Sequence, residues 1–410
     1  MATFLEILLL AALGALATSV QMQRLRRWRA VSALMSGGWL WALAGFLLGP
    51  SGVGALTLQT MQALAPLIVV GLGWIALMVG MQASAPMLRA LPRWCWRAAL
   101  VDVALTSAIV GGGSWFALRL WPSLQSRPAA LMGGTLLVCA SMGWSMETRW
   151  ARAEASQRTR LLLIRAVGGL ASMAALGGFA SLYTLTAAKA AGVTVESAMV
   201  VVLAALGGCV GGWATRGLLR LAGDSRAEFL AVLLGVVSLA AGLGVWAGAS
   251  PMLAPFALGA VVANLAGARL RSFERVVLEA EHVIAAVFAT VAGALLLLPD
   301  APAGWGLAGG VTVFRLLLKP RLARCAPWDD RASLPGRRDR RRERALSAPT
   351  LMRQSPLALA LGVALAASEY STASRLLLGV LVVAGVLSEA ALLTLFRQVR
   401  ATSPETERPL

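Results

Sequence analysis

The stretch RLRRWRAVSALMSGGWLWALAGFLLGP, residues 24–50, decides the fold. Arg24, Arg26, Arg27 and Arg29 stand between two apolar runs, one near 3–19 and one near 30–48. Each run is long enough to cross a hydrocarbon core of about 30 Å. Cationic loops resist translocation, so this loop belongs to the cytoplasm and both runs are membrane spans. The basic cluster follows the first run instead of preceding it. That flank pattern marks a retained anchor with its N-terminus outside, not a cleaved leader.

Outward from this loop the pattern repeats. Further apolar runs lie near 62–81, 98–118, 129–146, 161–183, 197–215, 228–248, 252–268, 280–298, 304–320, 350–368 and 376–396, which gives thirteen spans. Basic residues sort by loop parity. Arg89, Arg93 and Arg97 follow span three, and Arg149, Arg152, Arg158 and Arg160 follow span five. Arg216, Arg220 and Arg226 follow span seven, and Arg269, Arg271 and Arg275 follow span nine. The loop after span eleven, about 321–347, is the most basic and includes Arg337 to Arg344. The alternate loops hold only Arg119, Arg127, Lys189 and Arg375. The expected topology is N-terminus out and C-terminus in, in a bacterial-type cytoplasmic (inner) membrane.

Composition agrees. Hydrophobic residues make up 58% of the 410 residues and charged residues 14%, against about 25% charged in a soluble domain. The runs are too long and too uniformly apolar for an outer-membrane barrel. The net charge of +18 is spread over the cytoplasmic loops, so nucleic acid is not an expected partner and the lipid bilayer is. The cluster Arg337 to Arg344 is a topogenic loop that also suits anionic headgroups. Cys95, Cys139, Cys209 and Cys325 have no CxxC spacing and suggest neither disulfides nor a metal site. No nucleophile–base constellation points to an enzyme, and no cofactor motif is present. One membrane domain, 1–398, is expected, with a short cytoplasmic tail, 399–410.

Several segments then align in order. Span two ends Ala44-Gly45-Phe46-Leu47-Leu48-Gly49-Pro50-Ser51-Gly52, and span three carries Leu72-Gly73-Trp74-Ile75-Ala76-Leu77-Met78-Val79-Gly80. Span nine reads Ser250-Pro251-Met252-Leu253-Ala254-Pro255-Phe256-Ala257-Leu258-Gly259-Ala260, followed by Ala263-Asn264. Span ten has Phe288-Ala289-Thr290-Val291-Ala292-Gly293, and span eleven ends Arg315-Leu316-Leu317-Leu318-Lys319. Together these resemble the monovalent cation:proton antiporter superfamily, especially its Kef-type and sodium/proton-exchanger members. The resemblance implies an all-α bundle of two inverted repeats. Its fifth and twelfth spans would be discontinuous helices crossing near the midplane, where broken backbone is tolerated inside protein. The matching segments are Leu131 to Met146 and Leu351 to Ala366. Ser141-Met142-Gly143 supplies a flexible point in the first. Gln354-Ser355-Pro356 supplies a break in the second, because Pro356 lacks an amide donor.

The resemblance also implies a secondary transporter of monovalent cations against protons, commonly dimeric, so a homodimer is expected. Small residues in spans one to three and eight to nine suit that interface. Family transporters hold the ion or proton on aspartates of the sixth span. Here the matching stretch, Leu163 to Ala171, has Gly168 and Gly169, and no Asp or Glu occurs from Gln157 to Val195. Ser141-Met142 likewise replaces the aspartate of the fifth-span motif. Coupling through that acidic pair is therefore not expected. The rival readings are a non-transporting homologue, acting as scaffold, sensor or partner subunit, and a carrier of an anionic substrate.

The remaining membrane charges are candidates. Asp102 lies one turn into span four and is expected to pair with Arg97 or Arg165. Glu389, in span thirteen, lies deeper. Arg315 falls inside a span and needs helix-end carbonyls, Glu389, a water-filled cavity or an anion, since a buried arginine costs several kcal/mol alone. Lys319 is expected to snorkel to the cytoplasm. Glu196 and Glu369 fall near outer ends, and His282 sits beside Glu281 at the cytoplasmic entry to span ten.

Overall fold

The computed structural model describes residues 12, 38–90, 93–121, 127–142, 167–173, 175, 195–221, 225–265, 270–319, 321, 356–369 and 371–401. The chain is an all-helical polytopic bundle, with no strand among the described residues. Every expected span from the second to the thirteenth meets a described helix. Span two is α1, Trp39–Leu48. A short α2, Leu58–Ala63, is capped by Thr57, whose Oγ1 accepts from the Thr60 amide at 3.2 Å. Span three is α3, Ala65–Gly80, with Pro66 in its first turn, where a missing amide costs nothing. The loop after it holds α4, Ala85–Ala90.

Span four is built from three pieces: α5, Arg93–Thr106; a π-helical stretch, Ser107–Gly111; and α6, Gly112–Arg119. Span five is α7, Arg127–Met142. Span six is represented by a helical segment at 167–173. Span seven is α8, Val195–Leu221, and span eight is α9, Arg226–Trp246. Ser225 caps α9 by accepting from the Glu228 amide. Gly248, at φ 75°, then turns the chain in a conformation other residues rarely adopt. Span nine is α10, Leu253–Leu265, and span ten is α11, Leu270–Leu295. Span eleven is α12, Pro302–Val313, continued by a second π-helical stretch, Phe314–Leu318. Span twelve is α13, Pro356–Glu369, and span thirteen is α14, Thr372–Ala401.

The packing has an inverted symmetry that can be read from glycines. Span two packs on span ten, and span nine packs on span three. A Cβ on Gly45 would collide with the Thr290 backbone, and one on Gly293 with the Ala42 carbonyl. In the other crossing, a Cβ on Gly259 would collide with the Leu77 carbonyl, and one on Gly80 with the Phe256 carbonyl. Exchanging span two with nine and three with ten turns one crossing into the other. Lipid tails are as apolar as the helices, so association rests on such close backbone approach. The small residues of spans two, three and nine are thus used inside the protomer.

Four stretches are long and apolar enough to cross a membrane by length and composition: Ala99–Arg119, Ala198–Leu219, Ala227–Trp246 and Thr372–Thr394. The first three present large apolar side chains outward, among them Phe116, Val210, Trp213 and Trp246. Span nine has only 13 helical residues, about 20 Å at 1.5 Å per residue. It is lodged between spans three, seven and eight.

Spans five and twelve pack together. The described part of span five stops at Met142, and that of span twelve starts at Pro356. Pro356 is the first described residue of α13. Gly143 and Gln354, expected at the breaks, lie outside the described residues.

Candidate functional site

Among the described residues, five charged side chains are buried: Asp102, Arg315, Lys319, Arg375 and Glu389. Their formal sum is one positive charge, from three cations and two carboxylates. Each is held in place by identifiable elements.

Arg315 lies in the π-helical stretch of span eleven and is 2% exposed. Its Nη2 donates to the Ala140 carbonyl at 3.0 Å. Ala140 lies two residues before Met142, where the described part of α7 stops. Ser141, buried in the same turn, donates back to the Leu137 carbonyl at 2.7 Å. The hydroxyl is therefore engaged within its own helix.

Lys319 is 1% exposed and does not snorkel to the surface. Its Nζ reaches both carboxylate oxygens of Asp102, at 2.6 and 2.7 Å, and stands 5.9 Å from the Phe314 ring centroid. This corrects the snorkelling expected of Lys319. Of the two partners expected for Asp102, Arg97 is exposed and Arg165 lies outside the described residues. Two spans from opposite repeats pair here, because each carries a charge too deep to reach water. A buried pair with both carboxylate oxygens engaged is costly to break, since removing one partner strands the other.

Arg375 had been placed in an outer loop. It lies in the first turn of α14, 9% exposed, and its Nε donates to the Leu295 carbonyl at 2.8 Å. It therefore caps the C-terminus of α11. Its own carbonyl accepts from the Leu297 amide at 3.1 Å. The signal was present in the sequence, because Arg375 breaks the loop parity of basic residues. Arg119, another exception, stacks over Trp115 at 5.0 Å. Nearby, Trp121 donates to Asp300 at 2.7 Å, which ties the end of span four to the start of span eleven.

Glu389 is 1% exposed, in the interior of span thirteen. Spans eleven and thirteen both begin beside the end of span ten, so they run parallel. Thr312 sets their register: its Oγ1 donates to the Ala384 carbonyl at 3.2 Å. Arg315 is three residues beyond Thr312 and Glu389 five beyond Ala384. At 1.5 Å per residue they lie within about 3 Å of the same depth.

Gly168 and Gly169 are buried in the 167–173 helical segment, and Ser172 donates to the Gly169 carbonyl at 2.9 Å. The position of the expected acidic pair thus carries no side chain.

Comparisons with known proteins agree with this architecture. No curated protein matches the sequence. Among solved structures, the sodium proton antiporter MjNhaP1 from Methanocaldococcus jannaschii superposes with a TM-score of 0.61 at 12% identity. The match covers 96% of this chain and 99% of that one, a likeness of fold. The family described as "Sodium/hydrogen exchanger, transmembrane" matches residues 8–396. With nearly its whole length so matched, the chain belongs to the sodium/hydrogen exchanger family.

Proposed function

We propose that this chain is a secondary transporter of monovalent cations against protons that does not use the family's span-six acidic pair. The carrying observation is the pair of buried glycines, Gly168 and Gly169, on the segment where those carboxylates are expected. Exchange needs a group that holds a cation and a proton in turn, and a membrane carboxylate is the usual means. Glycine offers neither charge nor proton. Coupled flux must therefore use Asp102 or Glu389, the two carboxylates in the described membrane interior. Asp102 is engaged by Lys319, which slows any cycle that runs through it.

The test is flux in proteoliposomes under imposed sodium, potassium and proton gradients. Native exchange is expected to be well below that of MjNhaP1 measured alongside it. The double change Asp102→Asn with Glu389→Gln should abolish what remains. Robust exchange that survives both changes would overturn the reading.

The membrane is the cytoplasmic one, with the N-terminus outside, the C-terminus in the cytoplasm, and a homodimer as the assembly. Loop parity of the basic residues supports the orientation. The outward apolar faces of spans seven and eight leave room for a partner copy. Cysteine labelling that puts positions 152 and 189 on the same side would refute the topology. Native mass spectrometry showing monomer at every concentration would refute the dimer.

A further inference from the structure

We infer that Glu389 is the cation- and proton-binding carboxylate of this protein, carried by the span that is the second repeat's counterpart of span six. The inference rests on the transport reading above and narrows it to one residue.

The symmetry comes from the packing. Spans two and ten cross on Gly45 and Gly293, and spans nine and three cross on Gly259 and Gly80. The same exchange maps span four onto span eleven, and among the described residues these are the spans that carry π-helical stretches, Ser107–Gly111 and Phe314–Leu318. Each stretch follows roughly three turns or more of its own α-helix, after Arg93–Thr106 and Pro302–Val313 respectively. Continuing the exchange pairs span five with twelve and span six with thirteen. The carboxylate missing from span six is thus found on its symmetry mate, span thirteen.

The surroundings suit the role. Glu389 is 1% exposed, and buried ionisable groups in membrane spans are rarely structural accidents. Span thirteen is packed by spans two, five, ten, eleven and twelve. Among described side chains in their buried stretches, the titratable or charged groups are few. Span eleven brings Arg315, level with Glu389, and Lys319, which carries Asp102 with it. Span five brings Cys139. Spans two, ten and twelve bring none. Arg375 shares span thirteen but lies at its outer end, on the Leu295 carbonyl. Arg315 is held by the Ala140 carbonyl, an anchor that does not depend on the charge state of Glu389. In the exchange step one monovalent cation leaves the carboxylate as one proton joins it, and the net charge of the site is unchanged.

The experiment uses dicyclohexylcarbodiimide, an apolar reagent that couples to the protonated form of a membrane carboxyl, with the adduct located by mass spectrometry on the full chain in detergent. Labelling of Glu389 is expected at acid pH and is lost at alkaline pH. At fixed pH it should fall with sodium or potassium chloride and not with choline chloride at equal ionic strength. Glu389→Gln should lose the adduct, and Glu389→Asp should keep it. Labelling of Glu389 that ignores pH or ignores the alkali cations would overturn the inference, as would an adduct on Asp102 alone. Cation-sensitive labelling in a protein that shows no flux would uphold the site while removing the transport reading. Flux that needs Asp102 and not Glu389 would do the reverse.

Discussion

Spans four and eleven occupy matching places in the two repeats, and each is interrupted by a π-helical stretch. Yet span four brings a carboxylate, Asp102, to the interior, while span eleven brings two cations, Arg315 and Lys319. Spans six and thirteen differ in the same spirit: Gly168 and Gly169 in one, Glu389 in the other. The glycine crossings, in contrast, repeat almost residue for residue. Backbone contact obeys the symmetry because both halves must solve the same packing problem in lipid. Charge departs from it because one interior needs compensation as a whole, not half by half.

The largest expected effect comes from breaking the shared part. Gly293→Leu would drive a side chain into the Ala42 carbonyl. Overpacking costs about 3 kcal/mol or more where the obstacle is backbone. Little folded, monodisperse protein should survive, judged by size-exclusion chromatography and thermal unfolding in detergent. Gly259→Leu, its mirror at the Leu77 carbonyl, should fail to a similar degree. Gly306→Ala, where nothing lies within 4 Å, should be neutral. If Gly293→Leu folds normally, the crossing is not what holds the repeats together.

Next comes the unshared part. Lys319→Met leaves the Asp102 carboxylate stranded, at a cost of about 3–5 kcal/mol. Adding Asp102→Asn should restore much of the loss, seen as a rise in melting temperature of the double variant over the single one. Equal destabilisation by the single and double variants would show that Lys319 acts by packing alone.

The smallest effect is a gain. Gly169→Asp returns an acid to the first repeat and should add weak, pH-dependent binding of sodium or potassium, measured by isothermal titration. No change in cation binding at any pH would show that the span-six position has lost more than its side chain.

Much of this fold is legible in the sequence because its physics is one-dimensional. Apolar length and the side on which arginines collect are properties of a string, and they locate twelve of the helices well. The resemblance supplied the repeats. The charged interior was harder to read. Asp102 and Lys319 are 217 residues apart, and nothing along the chain links them. Lys319 looked peripheral because it ends an apolar run, although its side chain turns inward. Arg375 was visible only as an exception to loop parity, which says that a charge needs explaining but not which carbonyl explains it.

The π-helical stretches have a consequence for how this charge pattern is kept. A π turn holds one residue more than an α turn allows, so everything after it is rotated by about 100° relative to an uninterrupted helix. Lys319 follows directly on the stretch Phe314–Leu318. Deleting a single leucine from that stretch would close the wide turn into ordinary α-helix, and because the extra residue goes with it, the ammonium would keep its bearing on Asp102. Tightening the same five residues into α-helix without a deletion would instead swing the ammonium away. The ion pair therefore depends on the width of that turn as much as on its two residues, and a span straightened at full length would lose the pairing while keeping both partners in its sequence.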